Sequence, residues 1–270
     1  VLLWKPRSKA LLWTVFGVLF AVIVLAPLVM IVLASFAGRW TGVLPSALTG
    51  TQYAQALSGE TFASLAVSVQ TGVIASAVSV LLGTWAALAA EHAPRRLRRW
   101  VDTVFHLPIA VPSVVLGLAL LVAFSRPPVL LNGTRWIVLI GHLMILLPFS
   151  YSTVSAAVRR ADPQLALAAA SLGASPARVL LRVRIPVLLP SMAASASLAL
   201  AMSMGELGAT MMLFPPDWRT LPASVFALTD RGQVFLASAS TVVLLLVTLL
   251  GLVIVGLVQP RSASAPSRRV

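Results

Sequence analysis

Ionisable side chains are scarce in this chain, which holds seven acids, three histidines and no cysteine in 270 residues. The missing cysteine excludes disulfides, thiolate metal sites and cysteine nucleophiles. The acids are scattered along the chain, so they do not offer the convergent acid, base or metal groups that an enzyme needs. The only lysines are Lys5 and Lys9, so no Gly-Lys-Ser/Thr phosphate cradle exists and any ATP hydrolysis has to come from another chain. One acid stands apart. Glu206 lies inside an apolar run, where an ionised carboxylate costs at least about 2.5 kcal/mol and must face protein or water. Gly205 and Gly208 flank it and would let another backbone approach closely. His142 enters the preceding apolar run at a matching depth, about 9 to 11 Å from the same end at 1.5 Å per residue, so the two could pair. These four residues are candidate parts of a gate or translocation path, a structural contact between helices being the alternative. His106 reads as an interfacial side chain, the neighbouring Pro108 and Pro112 as helix kinks or a non-helical entry to the span, and Met202, Met204, Met211 and Met212 as adaptable packing. No metal and no cofactor is expected.

The elements that must position these groups follow from composition. At 59% hydrophobic and 10% charged residues, with a mean hydropathy of +0.97, the chain is too apolar for a soluble globular domain. The lipid bilayer is its expected solvent. Six segments approach the roughly 20 apolar residues needed to cross a hydrocarbon core. They lie near 11–36, 62–90, 103–124, 136–158, 187–214 and 235–258. The expected fold is therefore all-α and polytopic: a single transmembrane domain over 1–260, with a disordered Ser/Pro/Arg-rich tail at 261–270. A basic N-terminus before the first run resembles a signal peptide, but the apolar stretch is too long for one, and a retained helix is expected.

Charge placement sets the orientation. A cytoplasmic N-terminus leaves 15 lysines and arginines inside, among them Arg95, Arg96, Arg98, Arg99, Arg159, Arg160, Arg178, Arg182 and Arg184. Only Arg39, Arg126, Arg135, Arg219 and Arg231 then lie outside, so both termini are expected in the cytoplasm. The formal charge of +13 is accounted for by these topology determinants, and nucleic-acid binding is not expected.

The cytoplasmic stretch between the fourth and fifth spans has a legible local chemistry. Asp162 followed by Pro163 is a helix start, a capping carboxylate and then a residue with preset φ. Gly173 is the stop, since glycine takes the left-handed C′ conformation without a Cβ clash. Ser175 and Pro176 repeat the start, and a second short helix is expected to run to about Arg184, before Ile185 and Pro186. Leu165, Leu167, Leu172, Val179, Leu180 and Val183 are too many apolar positions for a solvated loop; they call for a partner surface.

This stretch resembles the EAA loop of six-helix permeases of binding-protein-dependent ABC importers. In that pattern Glu-Ala-Ala is followed after three residues by glycine and after nine more by Ile-x-Leu-Pro. Ala168 and Ala169 match the alanines, Gly173 the glycine, and Val183, Ile185 and Pro186 the closing residues, while Leu167 stands where the family has glutamate. The resemblance implies that Ala168, Ala169, Leu172, Gly173, Ala174, Ser175, Pro176, Val183, Ile185 and Pro186 form a coupling element docking on an ATPase. It also implies ATP-binding ABC ATPase subunits, a second permease subunit, identical or homologous, and an external or periplasmic substrate-binding protein as partners, in a bacterial inner membrane. The chain itself would be non-catalytic.

A second likeness covers Ser203 to Thr210, which is similar to the Gly-Glu-Phe/Leu-Gly-Ala-Thr segment of permeases for sulfate, molybdate, thiamine, ferric iron and phosphonates. Phe214 to Gly232, with Leu131, Asn132, Gly133, Thr134 and Trp136, most resembles permeases for 2-aminoethylphosphonate, which makes a phosphonate or other oxyanion the implied solute. An ion-coupled secondary transporter is the alternative, but one intramembrane glutamate, one histidine and no visible repeat count against it. An orientation-sensitive reporter fused after Arg98 or Arg184 should read cytoplasmic, and one after Arg126 or Arg219 external. An external reading at Arg184 would remove the coupling loop from the side where an ATPase can reach it.

Overall fold

The computed structural model describes residues 6–42 and 44–258, with side chains from Ser8 to Leu257. The expected tail, with Arg261, Arg268 and Arg269, and also Lys5, lie outside the described residues. Helices dominate in chain order: α1 (Pro6–Phe20), α2 (Ala26–Ser35), α3 (Thr51–Ala56), α4 (Gly59–Glu91), α5 (Arg95–His106), α6 (Ser113–Ala123) and α7 (Arg135–Arg160). They continue as α8 (Pro163–Ser171), α9 (Pro176–Val179), α10 (Ile185–Met204), α11 (Gly208–Leu213), α12 (Leu221–Asp230) and α13 (Val234–Val258). Two short strands, β1 (Ala37–Arg39) and β2 (Ala47–Leu48), pair antiparallel. The chain divides into two compact units, one of Val1–Ala63 with Ser224–Leu245, the other of Ser64–Ala223 with Leu246–Val270.

In the first unit, α1 and α2 form one apolar rod interrupted by a π-turn at Ala21–Leu25. Pro27 explains the turn: it lacks an N–H and clashes with the carbonyl four residues back, and a widened turn relieves both. Leucine, valine and phenylalanine are exposed on every face of this rod, as expected of a helix whose surroundings are lipid. The ribbon after it is held by a hydrogen bond of 2.7 Å between the Ser35 and Tyr53 hydroxyls and by the rings of Phe36 and Tyr53, 4.9 Å apart.

The second unit packs through small residues. One face of α4 buries Ser68, Thr71, Gly72, Ala75, Ser76, Ser79 and Gly83. At Gly83 a Cβ would lie 2.8 Å from the Tyr151 backbone nitrogen, so only glycine permits that approach to α7, and the Ser79 hydroxyl donates to Ser150 at 2.7 Å beside it.

Two expected spans are broken. The third, expected over 103–124 with a kink at its prolines, is α5, a 3₁₀ turn at Leu107–Ala110, and α6, bent by 105°. Pro108 and Pro112 remove the donors a straight helix would need there. The elbow is pinned to α7: the Tyr151 hydroxyl donates to Asp102 at 2.5 Å, and Nε2 of His106 lies 2.8 Å from the Ser152 hydroxyl. Beyond the elbow, α6 has 11 residues, about 16 Å of helix and half a hydrocarbon core. The fifth span, expected over 187–214, ends at Met204, and α11 restarts at Gly208.

Candidate functional site

The loop after α7 is built as its residues require. The Asp162 carboxylate accepts from the Gln164 N–H at 2.9 Å and Pro163 takes the first helical position, so α8 starts there. It ends at Gly173, with φ +82°. The Gly173 N–H donates to the Ala170 carbonyl at 2.9 Å and the Ala174 N–H to Ala169 at 3.1 Å, the paired bonds of a Schellman stop. Nothing lies within 4 Å of where a Gly173 Cβ would be, so the constraint is conformation and not space.

Beyond Ser175 and Pro176 the structure departs from expectation. Ser175 makes no side-chain cap hydrogen bond, and no second short helix ends near Arg184. Instead α9 runs through a π-turn at Leu180–Arg184 straight into α10, giving one rod from Pro176 to Met204. The π-turn is the reason. The Ile185 N–H bonds back to Leu180, five residues earlier, and the wider turn makes room for Pro186 where a regular turn would clash. The closing Val183, Ile185 and Pro186 thus belong to the base of the fifth span.

Leu165 and Ala166 of α8 share a small cavity of about 30 Å³ with Leu88, Val158, Val183 and Leu188, so one side of α8 lies over the ends of α4, α7 and α10. The Arg184 guanidinium reaches both Glu91 oxygens at 2.8 and 3.3 Å, tying the end of α4 to the base of the rod. Sequence reading passed over this pair, although an acid ending an apolar run in a basic segment was a signal. Leu167 and Leu172 face away, Leu172 with 89% of its surface exposed.

The second constellation surrounds the break after α10. His142 is 1% exposed, with Nδ1 2.7 Å from the Ser203 hydroxyl and Nε2 2.9 Å from the Thr210 hydroxyl. Its ring bridges the end of α10 and the body of α11. Both nitrogens are occupied by hydroxyls, so the pairing with Glu206 that their matching depths left open is not made. Glu206, 8% exposed, instead accepts from the Ala209 N–H at 2.7 Å, with the Gly208 N–H and the Ser113 hydroxyl also bonding to it. One carboxylate thereby serves the first turns of both α11 and α6. The two short helices touch closely: a Cβ on Gly117 would lie 2.8 Å from Ala209 Cα, and one on Gly208 would collide with the Ser113 hydroxyl. Gly205 has no such role, since its nearest neighbour would be 3.7 Å away, in ordinary contact. Of the two glycines expected to admit a backbone, only Gly208 does so.

Residues 79–264 match the family model for the binding-protein-dependent transport system inner membrane component. The chain belongs to that family. It is a multi-pass inner-membrane permease subunit of an ABC importer. The permease is 43% identical over 250 residues to PhnV of Salmonella typhi, a protein named for 2-aminoethylphosphonate transport, covering 93% of this chain and 95% of that one. It is 32% identical over 207 residues to ModB of Mycobacterium tuberculosis, named for molybdenum transport, covering 71% and 76%. The fold matches a chain of a bacterial alginate ABC transporter with a TM-score of 0.74 at 16% identity, covering 92% of the permease and 93% of that chain. A chain of the inward-facing MetNI methionine transporter gives 0.54 at 15%, covering 74% and 94%.

In the permease, replacing Glu206 tests whether its role is that of an acceptor or of a charge. Glu206→Gln keeps a carbonyl oxygen for the Ala209 N–H, whereas Glu206→Leu leaves that donor and the Ser113 hydroxyl unpaired, at about 1 to 3 kcal/mol each. The leucine variant should melt earlier in detergent and lose most uptake in the assembled importer, with glutamine near wild type. Equal loss in both would show that the charge itself is needed, and no loss in either would make the residue incidental.

Proposed function

We propose that this permease passes a phosphonate, 2-aminoethylphosphonate or a related oxyanion, from an external binding protein across the inner membrane, by alternating access driven by ATP hydrolysis in partner subunits. The solute assignment is supported by the 43% identity to PhnV over nearly the whole chain. ATP hydrolysis belongs to partner chains because this one has no lysine after Lys9 from which a phosphate cradle could be built. Residues 1–260 act as one permease domain, paired with a second permease subunit, with both termini cytoplasmic as the arginine distribution favours.

The observation that carries the mechanism is the Gly173 stop between α8 and the rod. It turns the chain while leaving Leu167 and Leu172 outward on an otherwise anchored loop. A movement of an ATPase against that face is passed on two ways, through the continuous rod into α10 and through Arg184 to Glu91 on α4. Ala168 and Ala169 keep the face flat, and Ser175 with Pro176 directs the return of the chain. At the far end of the lever, the break between Met204 and Gly208, framed by Glu206 and His142, is where the path opens and closes.

Valine at 173 should be strained at φ +82°, since a β-branched residue there is a genuine outlier. The spans are untouched, so Gly173→Val should insert and express. It should retain little ATPase on purification and support little uptake, whereas Leu167→Glu, which leaves the turn alone, should be far milder. Normal ATPase retention and uptake by Gly173→Val would remove the coupling assignment.

A further inference from the structure

The helix before the elbow, α5, carries three faces of different character. Val101 and Phe105 pack on the buried cluster of Ala87, Tyr151, Val154, Val158 and Leu188, with the Phe105 and Tyr151 rings 4.5 Å apart. Leu97, Trp100 and Val104, spaced three and four residues apart, share a second face, and each has more than half of its surface exposed. Arg96, Arg99 and Thr103 repeat that spacing one residue earlier, so they form an exposed polar stripe beside the apolar one.

The basic charge of α5 is not neutralised from within the chain. Among the described residues none of Arg95, Arg96, Arg98 and Arg99 lies within ion-pair distance of a carboxylate. The acids nearest to them in sequence are engaged elsewhere, Glu91 with the Arg184 guanidinium and Asp102 with the Tyr151 hydroxyl. Arg96, Arg99, Trp100 and Thr103 line one open groove of about 320 Å³, which brings two guanidinium groups, a hydroxyl and an indole to the same space. The 105° bend sets α5 across the direction of α6, as a helix lying along a membrane surface would be set against one entering the bilayer. Charges that only fix topology need no such neighbours, whereas here they flank an exposed apolar stripe centred on a tryptophan.

We propose that the groove of Arg96, Arg99, Trp100 and Thr103 binds the phosphate headgroup of an anionic phospholipid, whose acyl chains lie against Leu97, Trp100 and Val104. Arginine suits the headgroup, presenting several donors in a plane to a phosphate with several acceptor oxygens. The unneutralised charge of α5 draws anionic lipid to it in preference to zwitterionic lipid. A free phosphate would leave the apolar stripe in water, whereas a phospholipid covers both stripes at once. Because the opposite face of α5 is fixed to α7, the bound lipid anchors the elbow at the membrane surface.

The test uses the full-length permease in phosphatidylcholine nanodiscs that hold a minor share of lipid brominated on its acyl chains, either phosphatidylglycerol or phosphatidylcholine. Bromine quenches nearby indoles, so tryptophan fluorescence should be quenched more by the phosphatidylglycerol, and Trp100→Phe should remove that excess. Arg96→Gln combined with Arg99→Gln should lower the preference for the anionic lipid about ten-fold or more. Arg95→Gln combined with Arg98→Gln changes the charge equally but lies off the groove, and should leave most of the preference in place. All four arginines are exposed, so both double variants should fold. Equal quenching by the two lipids, or equal loss in the two double variants, would overturn the site and leave the arginines as diffuse charge. Loss of the excess on adding inorganic phosphate at constant ionic strength would assign the groove to a small anion, and its loss on adding the partner ATPase would assign it to a protein contact; either overturns the lipid site.

Discussion

Inside an apolar layer no water is available to a backbone N–H, and the second unit is arranged around that requirement. Two of its helices, α6 and α11, are too short to cross on their own, and each begins where four N–H groups lack intrahelical acceptors. Glu206 meets part of that need for α11, accepting from the Ala209 and Gly208 N–H groups, and ties the start of α6 to the same point through the Ser113 hydroxyl. Removing it would orphan donors on two elements. The glycines at 117 and 208 follow from the same arrangement, because a carboxylate can serve two helix ends only if those ends nearly touch. His142 then closes the other side of the break through Ser203 and Thr210. A break stabilised by polar contacts that can be exchanged for others is a suitable place for a path to open, which a continuous helix would not be.

The loop after α7, proposed to meet the ATPase, depends on the opposite circumstance. It lies in the basic segments between apolar runs, so its backbone can turn by ordinary local means: an aspartate cap, a proline start and a left-handed glycine stop. Its rigidity comes from below. The bidentate Arg184–Glu91 pair and the unbroken rod from Pro176 to Met204 connect the loop to α4 and α10. A surface ion pair alone adds little to stability, but here its consequence is geometric, since it fixes where the rod begins relative to α4.

What could be read in the sequence was whatever depends on near neighbours. Asp162–Pro163 and Gly173 state their own conformations, and long apolar runs state their surroundings, so the loop's first helix, its stop and the all-helical character were legible. Effects settled by partners distant in sequence were not. A kink at Pro108 and Pro112 was legible, but not what holds the elbow at 105°, where Tyr151 and Ser152 meet Asp102 and His106, some 46 to 49 residues away. His142 and Glu206 lay at matching depths and looked like a pair, but hydroxyls and backbone donors nearer to each decided otherwise. Pro186 looked like the end of a short helix; a π-turn, which leaves no mark in composition, let the helix continue.

The central claim is that the outward face of the α8 loop meets an ATPase, and the absence of native cysteine allows it to be tested without background labelling. Leu172→Cys, at the most exposed of the loop's leucines, would carry a photoactivatable benzophenone in the permease co-expressed with its partner ATPase. Illumination in native membranes should join the permease to that ATPase in high yield, while the same label at Leu245, on an apolar face of α13, should not. Labelling of lipid alone from position 172, with the ATPase present and uptake active, would contradict the claim.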